Sequence, residues 1–77
     1  MSQTKITYEI ILKETFTAHL AEWFEGSRLE KVSANRTRLC GELPDQAALH
    51  GILERIRDLN LRLVSVRVRE NPQKGNN

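Results

Sequence analysis

Cys40, His19 and His50 are the side chains in this sequence that could act as nucleophile, base or soft metal ligand. A thiolate activated by an imidazole needs the two groups within hydrogen-bond reach. A bound transition metal needs several converging donors. Cys40 is the single cysteine, which excludes paired-thiolate metal carriage and iron–sulfur chemistry. His19 and His50 fall in separate segments and supply no paired-ligand spacing. No acid–base or nucleophile constellation follows. The expectation is a chain that is not an enzyme and that holds no metal or cofactor.

A second polar set offers binding rather than reaction. Gln46, His50 and Glu54 step by four and Arg57 follows by three, which places them along one side of a helix. Such a ladder is either a solvated helix face or a ridge that touches a partner or ligand. Gly51 lies in the same stretch, and a glycine in a helix interior costs ~1 kcal/mol relative to alanine. With Ala48 it forms a small flank that suits close approach by a neighbouring helix, the favoured reading, or by a second chain. His19 and Trp23, four apart, line a flank of another segment. A half-exposed Trp there is an interface anchor or the lid of a small core.

The elements that must position these residues are legible. Ile6, Tyr8, Ile10 and Leu12 alternate with Lys5, Thr7, Glu9, Ile11 and Lys13, a strand with one buried face. Phe16, Leu20, Trp23 and Phe24 recur as one face of a short helix of about ten residues, with Thr15 or Thr17 as N-cap and Gly26 as its stop. Arg28 to Ser33 and Thr37 to Leu43 form a hairpin around Ala34-Asn35-Arg36. Leu29 is its first core residue, and Gly41 marks a bulge or a close approach by another element. Asp45 caps a second helix whose apolar stripe is Leu49, Ile52, Leu53, Ile56 and Leu59. Asn60 takes the left-handed position at its end. Val64, Val66 and Val68 then alternate as a last strand. Met1 to Gln3 read as a loose end, and residues 70–77 as a disordered tail after a single domain over 4–69.

The order β-α-β-β-α-β predicts an α+β, ferredoxin-like sandwich: a four-stranded antiparallel sheet in the order 4-1-3-2 with two helices on one face. Ile6, Tyr8, Ile10 and Leu12 would meet Val64, Val66, Leu39 and Leu43 beneath the helices. The opposite face would carry Thr7, Glu9, Ile11, Lys13, Arg38, Cys40 and Glu42. It offers no aromatic on which a base could stack, and its glutamates repel phosphate. The loop Lys13-Glu14-Thr15-Phe16 lacks the glycine and Arg that an anion cradle for acyl-phosphate hydrolysis needs.

Trp23-Phe24-x-Gly26, Asp45-Gln46-Ala47-Ala48-Leu49-His50-Gly51, Arg55-Ile56-Arg57-Asp58-Leu59 and Leu63-Val64-Ser65-Val66 together resemble a family of small stand-alone bacterial proteins of uncharacterised function with a ferredoxin-like fold. The resemblance covers residues 6–69 and is more specific in the second half. It implies a short α+β domain and carries no activity. Asn60 stands where such proteins would have Gly, and Asn also adopts the left-handed conformation.

Seventy-seven residues allow one domain with a thin core. The net charge of +2 is uneven. Residues 1–27 hold two basic and four acidic side chains, and residues 28–77 hold ten and six. The basic part could steer an acidic partner. Apolar runs stop at three residues, far below the ~20 that span a membrane. A lone cysteine and no signal peptide point to the cytoplasm.

The function expected is a non-catalytic binding or regulatory module acting through protein–protein contacts, with a homodimer as one form. The alternatives are a small-ligand sensor and a weak electrostatic nucleic-acid binder, with nucleic acid disfavoured and no membrane partner. The candidate surfaces are the open sheet face at Ile11, Cys40 and Leu63, and the helix flanks at Trp23, Gln46, His50 and Gly51.

Overall fold

A computed structural model describes residues 4–72. The loose end expected at Met1–Gln3, and residues 73–77 of the tail expected over 70–77, lie outside the described residues. The elements are β1 (Thr4–Leu12), α1 (Ala18–Trp23), β2 (Arg28–Ser33), β3 (Arg36–Leu43), α2 (Gln46–Asp58) and β4 (Leu63–Pro72). All pairings are antiparallel, and the sheet order is β2-β3-β1-β4. This is the expected order read from the other edge.

β1 is central because its alternation supplies a continuous apolar face. Ile6, Tyr8, Ile10 and Leu12 are at most 2% exposed. Leu39 of β3 lies beside Ile10. Leu20 and Phe24 at α1, and Leu49 and Ile56 of α2, complete the same core, so both helices pack on this side of the sheet. Burying each such side chain contributes ~1.5–3 kcal/mol, as an upper bound. Thr37 is fully buried, and its hydroxyl donates to the Glu14 carbonyl at 2.9 Å. That bond removes the cost of a buried polar group and ties β3 to the turn after β1.

The local signals act as the residue types require. Asp45 is the N-cap of α2 and accepts from the Ala48 amide at 3.0 Å. Asn60 ends the helix at φ 61, and Gly26 turns the chain out of α1 at φ 97. Gly41 lies opposite Tyr8 in the register. A Cβ there would stand 3.2 Å from the Tyr8 hydroxyl oxygen, so the close approach expected at Gly41 is that of the Tyr8 ring.

Four expectations are corrected. α1 has six residues rather than about ten. Thr17 is its N-cap, accepting from the Leu20 amide, so Phe16 precedes the helix and is exposed. Leu20 and Phe24 alone carry the buried face, and Trp23 turns outward. Gly51 does not receive α1, because a Cβ built there meets nothing within 4 Å. Val64 is not beneath the helices: it is 44% exposed and Val68 43%, whereas Val66 packs partly on the core. β4 is an edge strand, and its outer valines lie beyond the helix layer. Finally, β4 continues to Pro72 rather than stopping at Arg69, because β1 from Thr4 to Ile6 offers it partners.

Candidate functional site

The residues expected to act together occupy three separate places. On the open face of the sheet, the registers set Arg28, Cys40, Glu9 and Arg67 in one row across the strands, and Glu30, Arg38, Ile11 and Ser65 in the next. Ile11 and Cys40 are half-buried there. The Cys40 Sγ lies 3.7 Å from the Arg28 carbonyl oxygen and donates to it, which is the behaviour of a small strand residue. Charged groups surround both. The Arg38 Nε donates to Glu30 Oε1 at 3.0 Å, Nη2 donates to the same oxygen, and Nη1 reaches Glu9 Oε2 at 3.2 Å. The hydrogen bond and charge of Arg38, reinforced by Arg28, hold the Glu30 carboxyl below its ordinary range. The same partners raise Arg38, Glu30 first and Glu9 after it. The face is therefore a network of paired charges rather than an apolar patch. Tied in this way, Arg38 has less free charge to offer phosphate. Leu63 is apart from the other two, exposed at the start of β4 where the pairing with β1 is irregular.

Gln46 and His50 lie on the exposed outer side of α2. Gln46 begins the helix. His50 joins Leu53, Glu54 and Arg57 around a shallow depression of about 310 Å³. Of this ladder only Glu54 reaches the Trp23 side, where it lines a second depression with Trp23, Gly51 and Arg55.

Trp23 and Gly51 do come together. α1 ends at Trp23, whose indole stacks on His19 with ring centroids 5.7 Å apart and planes 22° apart. Its carbonyl accepts a hydrogen bond from Arg55 Nη1 at 2.6 Å. That bond links the last turn of α1 to α2 and satisfies a carbonyl that the helix end leaves free. A groove of about 360 Å³ runs between the helices, with Tyr8 and Leu43 at its base and Trp23, Gly26, Gly51 and Arg55 among its walls. Among the described residues Arg55 makes no ion pair. The Tyr8 hydroxyl and Ser27 Oγ hydrogen-bond to each other at one end. Gly51 and Ala48 keep the α2 wall low, so the glycine opens a groove instead of seating a helix. Trp23 is 37% exposed, the anchor geometry that interfaces favour. The groove can bury an apolar group and set a guanidinium beside a carboxylate or carbonyl.

Two features had no signal of their own in the sequence. The Arg55 bond to the Trp23 carbonyl depends on how two helices lie. The exposure of Val64 and Val68 hides behind an alternation that a buried strand would also show, although the expected strand order already put that strand at an edge.

Among the described residues no group of three or more His, Cys, Asp or Glu side chains is placed to hold a metal, and no helix is long and apolar enough to cross a membrane. A family model described as "Domain of unknown function (DUF8691)" matches residues 7–67, from within β1 to within β4. No curated protein and no solved structure matches the chain.

Proposed function

Since the chain belongs to the DUF8691 family of domains of unknown function, whose description carries no activity, we propose from its own geometry that it is a non-catalytic binding module working through protein–protein contacts. Its β-α-β-β-α-β order with an open antiparallel sheet supports reading it as a ferredoxin-like domain, a scaffold that hosts many functions and decides none. The observation that carries the proposal is the exposed Trp23 beside the open Gly51 groove, with Arg55 held at its wall. An aromatic anchor, a low apolar wall and one unpaired cation fit a short segment of a partner that brings an apolar side chain and an acidic group.

The test is affinity capture from the native cell with the wild type, Trp23→Ala and Ile11→Lys. Trp23→Ala should lose the captured protein and Ile11→Lys should keep it. Equal capture by all three, or loss only with Ile11→Lys, refutes the groove as the contact.

The same groove favours a small-ligand sensor as the second reading, because 360 Å³ is the size of a small-molecule site. A metabolite carrying an apolar body and a carboxylate would then raise the melting temperature of the wild type and leave Arg55→Ala unchanged.

A further inference from the structure

The two edges of the sheet are built differently. β2 has six residues, carries Arg28, Glu30 and Lys31, and loses register between Lys31 and Ser33. Short length, charge and irregularity are what blunt an edge against pairing. β4 has ten residues, and its register with β1 is regular from Thr4 to Ile11. Among the described residues nothing pairs with its outer side. Every second residue of such a strand turns its N–H and C=O outward, a template for another strand. On the helix side it shows Val64 and Val68, both more than two-fifths exposed.

The order of residues in β4 is self-complementary. Pairing the strand antiparallel with its own copy about a two-fold at Val66 sets Val66 against the partner's Val66 and Val64 against the partner's Val68. On the other face, Ser65 meets the partner's Arg67. No like charges face each other between Val64 and Val68. Neighbouring registers are worse. A two-fold at Arg67 sets it against the partner's Arg67. One at Val68 sets Arg67 against the partner's Arg69. One at Ser65 leaves Val68 with no β4 residue opposite it. Within each copy Arg67 already sits beside Glu9 in the register, which tempers its charge.

We propose that β4 is the surface on which two copies of this chain join, antiparallel about Val66, to make one continuous eight-stranded sheet. The proposal rests on the protein-contact reading and names a second copy as one partner. It uses a surface other than the Trp23 groove, so each can fail alone.

The experiment is sedimentation equilibrium over a wide concentration range, with circular dichroism to check folding. The wild type should pass from monomer to dimer mass. Val64→Lys with Val68→Lys sets lysine against lysine at two symmetric places and should raise the dissociation constant on the order of tenfold or more. Val64→Glu with Val68→Lys keeps the same exposed positions but sets Glu against Lys, and should restore the dimer. If a lysine variant fails to fold, Ser65→Arg, which sets Arg against the partner's Arg67, should weaken the dimer, and Ser65→Glu, which sets Glu against the same Arg67, should tighten it. A wild type that stays monomeric throughout overturns the proposal while leaving the Trp23 capture result to stand or fall by itself. A double-lysine chain that dimerises like the wild type moves the interface elsewhere. A Glu/Lys chain as monomeric as the double-lysine chain overturns the two-fold at Val66.

Discussion

Two glycines should respond in opposite directions to the same added methyl group. Gly51 lies inside α2, and a Cβ there meets nothing within 4 Å. Gly51→Ala therefore gains helix propensity with no steric cost, about 0.5–1 kcal/mol of stability. Gly41 lies in β3 against the Tyr8 ring. Its added Cβ would stand 3.2 Å from the hydroxyl oxygen, 3.3 Å from Cε1 and 3.5 Å from Cζ, whereas carbon contacts are comfortable at about 3.5–4.0 Å. The ring must recede by a few tenths of an ångström. Tyr8 is 2% exposed and its hydroxyl is bonded to Ser27, so it has little freedom to do so. Overpacking of this kind costs ~1–3 kcal/mol, offset by ~0.4–1 kcal/mol from a stiffer unfolded chain. The net loss for Gly41→Ala is then roughly 0.5–2 kcal/mol.

The two variants should thus differ by about 2 kcal/mol, or on the order of 10 °C in melting temperature for a domain of this size. Urea titration at one matched protein concentration measures this, provided the slopes agree. A Gly41→Ala as stable as the wild type would show that the Tyr8 ring is not packed as described. A Gly51→Ala less stable than the wild type would show that something occupies the groove in solution. Gly51→Ala also separates stability from binding. If a partner uses the low wall of α2, the variant should be more stable and bind more weakly.

Asn60 holds φ 61, so Asn60→Ala should lose about 0.5–1 kcal/mol while Asn60→Gly stays near the wild type, read by the same titration. Glu30, with its folded pKa lowered by Arg38, stabilises the fold above its ordinary carboxylate value of 4.5, and that contribution is lost as pH falls through the lowered value. Glu30→Gln should therefore be less stable than the wild type at neutral pH and converge with it in acid. An unchanged gap at low pH would refute the ion pair as the cause. High salt should narrow the neutral-pH difference, since both side chains are 38% exposed.

Much of the fold was legible because its signals are local. Alternation placed Ile6, Tyr8, Ile10 and Leu12 inward. Asp45 and Asn60 marked both ends of α2, and Gly41 announced a close neighbour. The failures arise where an assignment depends on a second element. Phe16, Leu20, Trp23 and Phe24 satisfy helical spacing, but the Thr17 cap starts the helix after Phe16, so spacing alone overstated the buried face. At Gly51 the close approach of α1, the favoured reading, is absent. A missing side chain is equally consistent with a neighbour pressed close and with an open groove. Grouping Ile11, Cys40 and Leu63 by parity also failed in part, because the irregular pairing at Ile11/Leu12 takes Leu63 out of the regular open-face rows.

The groove has a physical cause in the length of α1. Two full-length helices, each about 10 Å across, would cover four strands spaced about 4.8 Å apart. α1 has six residues and so extends only about 9 Å, against about 30 Å for the nine residues of β1. A helix this short fills one end of its half of the layer. It leaves Trp23 at its last turn and an unfilled space beside Gly51. Lengthening α1 would bury more apolar surface and stabilise so small a domain, yet Gly26 stops the helix and Phe16 is left outside it. The short helix gives up core stability and leaves the Trp23 groove open.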